Sequence, residues 1–436
     1  MEENITMSSF FDGTFGTIFY FIIALSVIVS VHEYGHYIIG RLCGVHAEVF
    51  SIGFGPILFS LIDKKGTKWQ AALIPLGGYV KFSEETPNKK QFEHQNIGLG
   101  LNNVNLLRRA AIIIAGPAFN FILSIIIFAA IIQYSGSISQ FTIIGKLKDI
   151  PGLNGAFLPG DKIIKIESQK VEKLSEFLKV ASELEPKKIV NYTIIRNDKS
   201  LVFNNIFPFL PLVDKLQPKS AAIEAGLRVG DLITEIDGVP VYSLSTVQNL
   251  VNQSRGIPLY LKILREGKSI GIRVTPKKVD IPVNDTFESR WLIGFSGGMF
   301  FDPVRHDITV KESLLLGVKQ SWDVINSSVV GLLGIISGAI SSCNLQGPIG
   351  IAEVSGDIAR QGIIDYIWFI GIMSTAIGLL NLFPIPVLDG GQLVFIVYEA
   401  VFNKPISGII HKFLMVFGMI LILGLMIFAL TNDLFC

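Results

Sequence analysis

His32-Glu33-Tyr34-Gly35-His36 is the stretch whose reading decides the rest of the chain. Residues four apart on a helix project to one side, so the two imidazoles can take two positions of a zinc ion. Glu33 then stands beside a water on the metal and can serve as its general base. The motif continues the apolar run 18–31, which reads as part of a membrane span. Ionisable side chains at that depth are expensive and usually mark function. A zinc hydrolase needs a third protein ligand, which must come from elsewhere in the chain.

Half of the 436 residues are hydrophobic and 17% are charged. That is too apolar for a soluble protein and too charged for a chain made only of spans. A net charge of +1 implies no polyanionic partner such as nucleic acid. Cys43, Cys343 and Cys436 show no paired spacing, so neither a disulfide framework nor a thiolate zinc site is expected. Buried or inert thiols are the expectation. The N-terminal apolar run is not read as a cleavable signal. Glu2, Glu3 and Asp12 lead it without Lys or Arg, and the metal motif lies where a cleavage region would fall.

Segment 1–41 holds the first span. Nine Lys or Arg residues between 41 and 109 make the following loop, 42–109, cytoplasmic, so the first span enters from outside. Within that loop, 49–82 reads as strands, with breakers at 51–56, a turn at 63–66 and a β-prone run ending at Pro75 and Gly77-Gly78. Such a pair beside a metal site could hold an extended peptide by edge pairing, or simply pack as a surface hairpin. The second span is 110–135. Gly116-Pro117 should kink it, and Asn120 needs a polar partner inside the bilayer, with a helix–helix hydrogen bond expected.

Residues 138–295 are soluble in character and internally duplicated. Pro159-Gly-Asp161-Lys-Ile-Ile-Lys-Ile166 returns 70 positions later as Val229-Gly-Asp231-Leu-Ile-Thr-Glu-Ile236. Two small mixed modules follow, 138–212 and 213–295. The run from Ala225 to Gly238 in the second closely resembles the PDZ-domain pattern. The first departs from it, with Phe157-Leu-Pro159 and with Ser168 in place of the turn glycine. Both modules are open to two readings, peptide capture or steric shielding.

Residues 306–345 show helical spacing at Leu315, Val318, Trp322, Ile325, Val329, Leu332 and Ile336, and read as an amphipathic segment at the outer membrane face. The third span, 364–390, ends in Asn381-Leu-Phe-Pro-Ile-Pro-Val-Leu-Asp389, where two prolines break the helix. The fourth span is 413–430. Asp389 is a carboxylate deep in an apolar segment with no cation near it in sequence, costly unless it is a ligand. It is the candidate third ligand beside His32 and His36. For the three to meet, spans one and three must run in the same direction, which four spans allow and a fifth crossing at 324–340 would prevent.

His32-Glu33-x-x-His36, Gly116-Pro-x-x-Asn120-Phe and Asn381-x-x-Pro-x-Pro-x-Leu-Asp389-Gly together resemble the site-2 proteases, intramembrane zinc metalloproteases. The tandem PDZ-like modules look like the regulator of sigma-E protease branch. The resemblance covers nearly the whole chain. It implies a polytopic α-helical membrane protein with four transmembrane helices, a membrane-associated β-loop and two extracytoplasmic PDZ-like α+β domains. It also implies one Zn2+ per chain on His32, His36 and Asp389, with Glu33 as the catalytic acid/base. Asn381, Asn120, Gly77 and Gly78 become candidates for positioning substrate. Gln392 departs from the histidine expected after Asp-Gly-Gly. The implied substrates are single-span membrane proteins, such as a pre-trimmed anti-sigma factor or remnant signal peptides. The implied place is the bacterial inner membrane, with both termini and the PDZ-like domains outside and the active site near the cytoplasmic side. Two rival readings are a catalytically silent PDZ scaffold and a metal transporter.

Overall fold

The computed structural model describes residues 13–83, 99–148, 150, 156–283 and 286–435. The acidic flank Glu2, Glu3 and Asp12 and the terminal Cys436 lie outside the described residues. Two compact units emerge, Met1–Ile131 with Val310–Cys436, and Ile132–Thr309.

The first unit begins with helix α1 (Thr14–Leu42), the hairpin β1 (Ala47–Ile62) and β2 (Lys68–Phe82), and α2 (Leu106–Ser135). It resumes with α3 (Val310–Ile336), α4 (Pro348–Gln361), α5 (Ile363–Asn381), α6 (Asp389–Phe402) and α7 (Gly408–Phe435). Among the described residues, α1, α2, α5 and α7 are the four helices long and apolar enough to cross a membrane, the number expected from the sequence.

Contacts fix their directions. Tyr366 donates to the Tyr20 carbonyl at 2.6 Å, and Phe369 and Ile370 pack with Ala24 and Ile28 further along, so α1 and α5 run parallel. His36 meets Ile112 whereas His32 meets Asn120, so α2 runs against α1. At one end of α7, Met415 touches Gln392, and at the other Asp433 accepts the N–H groups of Gly347 and Gly350, each at 2.9 Å.

Helix α3 lies within the segment 306–345 that was expected to be amphipathic. Its large apolar side chains, Leu315, Val318 and Trp322 among them, are exposed, and its buried face is small: Ser313, Gly317, Ser321 and Gly334. Gly317 lies against Ile125 and Ala129, and Ser321 Oγ is 3.1 Å from Ser124 Oγ. Small residues inward and large ones outward suit a lipid surround, where apolar bulk gains nothing from facing protein. Two helices escaped the sequence reading. The short α4 carries too many polar residues to look like a span, and α6 starts at Asp389 where the third span was drawn to end.

The hairpin forms where it was expected. Phe50 is in register with both Val80 and Trp69, so the start of β1 is paired on both edges. Tyr37, Phe50 and Trp69 hold this end against α1, with ring centroids 4.9 Å apart for Tyr37–Trp69 and 4.4 Å for Phe50–Trp69. The distal half exposes Ile57, Leu58, Phe59, Leu61 and Ile62, an apolar surface suited to lipid contact.

The second unit displays the duplication directly. Strand Lys162–Ile166 and helix Leu174–Glu183 recur as Leu232–Ile236 and Leu244–Gln253. Each repeated Gly-Asp turn is locked by the same bidentate pair. Arg196 Nε and Nη2 reach Asp161 at 2.7 and 2.6 Å, and Arg265 reaches Asp231 at 2.7 Å through both nitrogens. Asp237 and Gly238 both take positive φ in the second turn, while in the first only Glu167 does, which is how Ser168 is accommodated. Divisions at 212 and 295 miss one feature. Strand Phe295–Met299 closes the second sheet on Phe209–Leu216, and then Phe300 and Phe301 enter the core of the first module beside Ile144 and Phe157. The second module is therefore nested within the first. Local sequence patterns carry no sign of such a return.

The cysteines differ from expectation as well. Cys43 is a free thiol, but Cys343 is disulfide-bonded. Wide spacing conceals pairings that depend on the fold.

Candidate metal centre

Two turns of α1 present His32, Glu33 and His36, and α2 fixes the imidazoles. His36 Nδ1–H donates to the Ile112 carbonyl at 2.8 Å, which leaves the Nε2 lone pair free. His32 Nδ1 lies 3.2 Å from the amide of Asn120, which is fully buried. Gly116 sits directly under both rings, where any Cβ would strike His36 Nε2 and His32 Cε1. The helix–helix hydrogen bond expected of Asn120 exists, and its partner is a histidine of the motif.

The carboxylate arrives from the broken segment. Helix α5 stops at Asn381, the Pro384 and Pro386 stretch turns the chain, and Asp389 opens α6. Gln392 Nε2 donates to the Pro386 carbonyl at 3.1 Å and so ties the turn to α6. Asp389 Oδ2 is 3.1 Å from His32 Nε2 and 3.5 Å from His36 Nε2, and the two Nε2 atoms are 3.2 Å apart.

These donors fit zinc. The circle through the three atoms has a radius of about 1.9 Å, just below the ~2.0–2.1 Å that zinc keeps from imidazole nitrogen or carboxylate oxygen. His32, His36 and Asp389 would together hold one such ion. Asp389 Oδ2 is buried, near both nitrogens, yet in hydrogen-bond geometry with no group among the described residues. The Asn120 Oδ1 atom is orphaned in the same way. Oxygen and nitrogen of an amide are interchangeable by rotation. Turning the Asn120 amide gives His32 Nδ1–H its acceptor and leaves His32 Nε2, like that of His36, as a lone pair.

The site opens into a cavity of about 480 Å³ whose walls include Glu33, Tyr79, Arg109, Asn381 and Gln392. The Val80 N–H of β2 donates to the Glu33 carboxylate. Gly78 lies so close that a Cβ there would stand 2.7 Å from the Ser51 carbonyl and 3.3 Å from Glu33 Cγ. Gly77 faces the Phe54 ring instead. The Asn381 side chain makes no hydrogen bond among the described residues, and the residue lines the cavity. All the sequence-predicted site residues except Gly77 thus gather at or beside one centre. Val80, Arg109 and Glu399, which pairs with Arg109, were missed. Glu399 carried a usable signal, since it is a lone acid in the apolar run 393–402. A second cavity of about 440 Å³ lies in the other unit, walled largely by apolar residues such as Ile206, Leu210 and Tyr242, and among the described residues it holds no metal-ligand cluster.

The sequence profile of peptidase family M50 matches residues 20–425. The chain is 32% identical to the regulator of sigma-E protease RseP of Escherichia coli K12, over 95% of this chain and 97% of that one. It is 31% identical to the protease RseP of Yersinia pestis, again over 95% and 97%. A protein of Agrobacterium fabrum assigned by name to the zinc metalloproteases is 32% identical, over 96% of this chain and 95% of its own length. With the family profile spanning most of the sequence, the chain belongs to peptidase family M50, the site-2 type of membrane zinc metalloprotease.

Proposed function

We propose that the chain hydrolyses a peptide bond within single-span membrane proteins, with His32, His36 and Asp389 holding the zinc and Glu33 moving the proton. The observation that carries this reading is the convergence of those three donors beside Glu33 in a cavity between apolar helices. Zinc, when bound, supplies Lewis acidity and lowers the pKa of a water toward ~7. The Glu33 carboxylate accepts the proton of the attacking water and delivers it to the leaving amide nitrogen. The Val80 N–H keeps that carboxylate aimed into the cavity. The amide of Asn381 is available to a substrate carbonyl.

A helical substrate must unwind locally before its backbone can be attacked. The 78–82 end of β2 pairs on one edge with β1 and lies at Glu33, which supports capture of the unwound segment as an added strand.

In the second unit, the groove between helix Leu244–Gln253 and strand Phe295–Met299 is lined by Leu244, Val247 and Val251 and supports the PDZ-like reading. The paired modules then act outside the membrane as a size filter, admitting substrates already trimmed there. A pre-trimmed anti-sigma factor is the substrate we favour, by likeness to the sigma-E regulators, with remnant signal peptides as a further class. The bacterial inner membrane is the corresponding location. The Cys343 disulfide supports an oxidising, external position for the loop before α4 and for the α7 end that it contacts. Membership of a peptidase family leaves the scaffold and transporter readings with no observation in their favour.

The test is Glu33→Gln, which should keep wild-type zinc content and lose cleavage of a model single-span substrate by a factor of roughly 10²–10⁴. Undiminished turnover would refute the role of Glu33.

A further inference from the structure

Helix α2 meets the site along one face. Arg109, Ile112, Gly116 and Asn120 are spaced three, four and four apart, so they share a stripe. Three of these four contact the histidine pair: Ile112 accepts from His36, Gly116 underlies both rings, and Asn120 meets His32. Arg109 reaches past the histidines. Its Nη1 lies 3.0 Å from Glu399 Oε2 and 3.3 Å from Oε1, with both side chains only about a quarter exposed.

Glu399 belongs to α6, the helix opened by Asp389, and lies ten residues further on, about 15 Å along the axis. That helix is otherwise lightly held. Its buried residues are Gly390, Gly391 and Ile396, while Val394, Val397, Tyr398, Val401 and Phe402 are exposed. Gln392 reaches Pro386 and Met415, and Phe395 meets the His411 ring. Apart from the approach of Asp389 to the two histidines, Glu399–Arg109 is the one ion pair of α6 among the described residues.

We propose that Arg109 and Glu399 are positioning residues for the third metal ligand. The pair clamps α6 to the same helix that orients the imidazoles, and so sets the distance between Asp389 and the two Nε2 atoms. This rests on reading His32, His36 and Asp389 as the zinc ligands. Arg109 also lines the cavity, so the competing idea is that it binds substrate directly.

Zinc affinity of the purified full-length protein separates the two, measured by competition with a chromophoric chelator, alongside cleavage of a single-span substrate. Glu399→Gln and Arg109→Gln should each weaken zinc binding by about 10-fold, the scale of a lost outer-shell contact. The charge swap Arg109→Glu with Glu399→Arg should return it close to the wild-type value, which a general folding defect would not. Wild-type zinc affinity in both single variants would overturn the proposal. So would a swap no better than either single variant, or lost cleavage in Arg109→Gln alone with zinc affinity intact in both. His36→Ala is the control for the underlying reading: if it binds zinc as tightly as wild type, the ligand assignment falls, and this proposal with it.

Discussion

Replacing Asn120 with leucine preserves much of the side-chain volume and removes the only polar partner of His32 Nδ1 among the described residues. Asn120 is fully buried, so water cannot take its place. His32 then has two options. It can keep the proton on Nδ1 and leave a buried donor unsatisfied, at a cost of about 1–3 kcal/mol. Or it can shift the proton to Nε2, the nitrogen facing Asp389, and compete with the metal for that lone pair. Both routes weaken zinc binding by roughly 1.4–2.7 kcal/mol, or 10- to 100-fold. Asn120→Asp retains an oxygen acceptor and should keep most of the affinity. Competition titration of detergent-solubilised protein measures both variants. Equal zinc affinity in wild type and Asn120→Leu would refute the tautomer argument.

Gly78→Ala should retain zinc while cleavage drops by roughly 100-fold, because the new methyl presses on the Ser51 carbonyl and Glu33 and a misplacement near 1 Å has that scale; zinc content and turnover on one preparation check it. Asp231→Asn removes the fully buried half of the Arg265 pair and should destabilise the second unit by roughly 3 kcal/mol, read as a lowered protease-resistance midpoint of the Ile132–Thr309 region. Alkylation under denaturing, non-reducing conditions should modify Cys43 but not Cys343, which becomes reactive only after reduction; Cys343 labelled without reductant would remove the support for an external loop. Glu48 is held below its ordinary value of 4.5 chiefly by its bond to Lys81, then by the Ser83 hydroxyl. A depressed carboxylate stabilises above the unfolded value and loses that contribution as pH falls through the folded one, so Glu48→Gln should flatten the acid side of hairpin protection in hydrogen exchange, below pH about 4.5.

Much of the centre was legible because its residues break local rules. His32, Glu33, His36 and Asp389 are ionisable groups in apolar surroundings, and each is conspicuous against its neighbours. The directions of the spans followed from the need to bring Asp389 to the histidines, and the contacts of Tyr20 with Tyr366 and of His36 with Ile112 agree. What stayed hidden depends on distance in sequence. Arg109 and Glu399 are 290 residues apart, and a charge at a span end already has an ordinary explanation in membrane topology. The outward apolar face of α3 was hidden for a different reason: periodicity gives the faces of a helix, but not whether lipid or protein covers each one.

The division of labour among the helices has a physical logic. Two donors sit one turn apart on α1, so their separation is set by helix geometry and hardly changes when α1 moves as a whole. The third donor has no such guarantee, because the proline-containing turn that brings it also detaches α6 from α5. A carboxylate in the first turn of α6 gains from the helix dipole. That benefit holds wherever α6 points, so it cannot fix the distance to the imidazoles. Fixing that distance requires contacts from outside the turn, and the chain provides Gln392 to the Pro386 carbonyl on one side and Glu399 to Arg109 on the other. The first closes the turn on itself. Only the second refers α6 to α2, the helix that orients the imidazoles, so a substitution of Arg109 in the cavity wall should be felt at the metal.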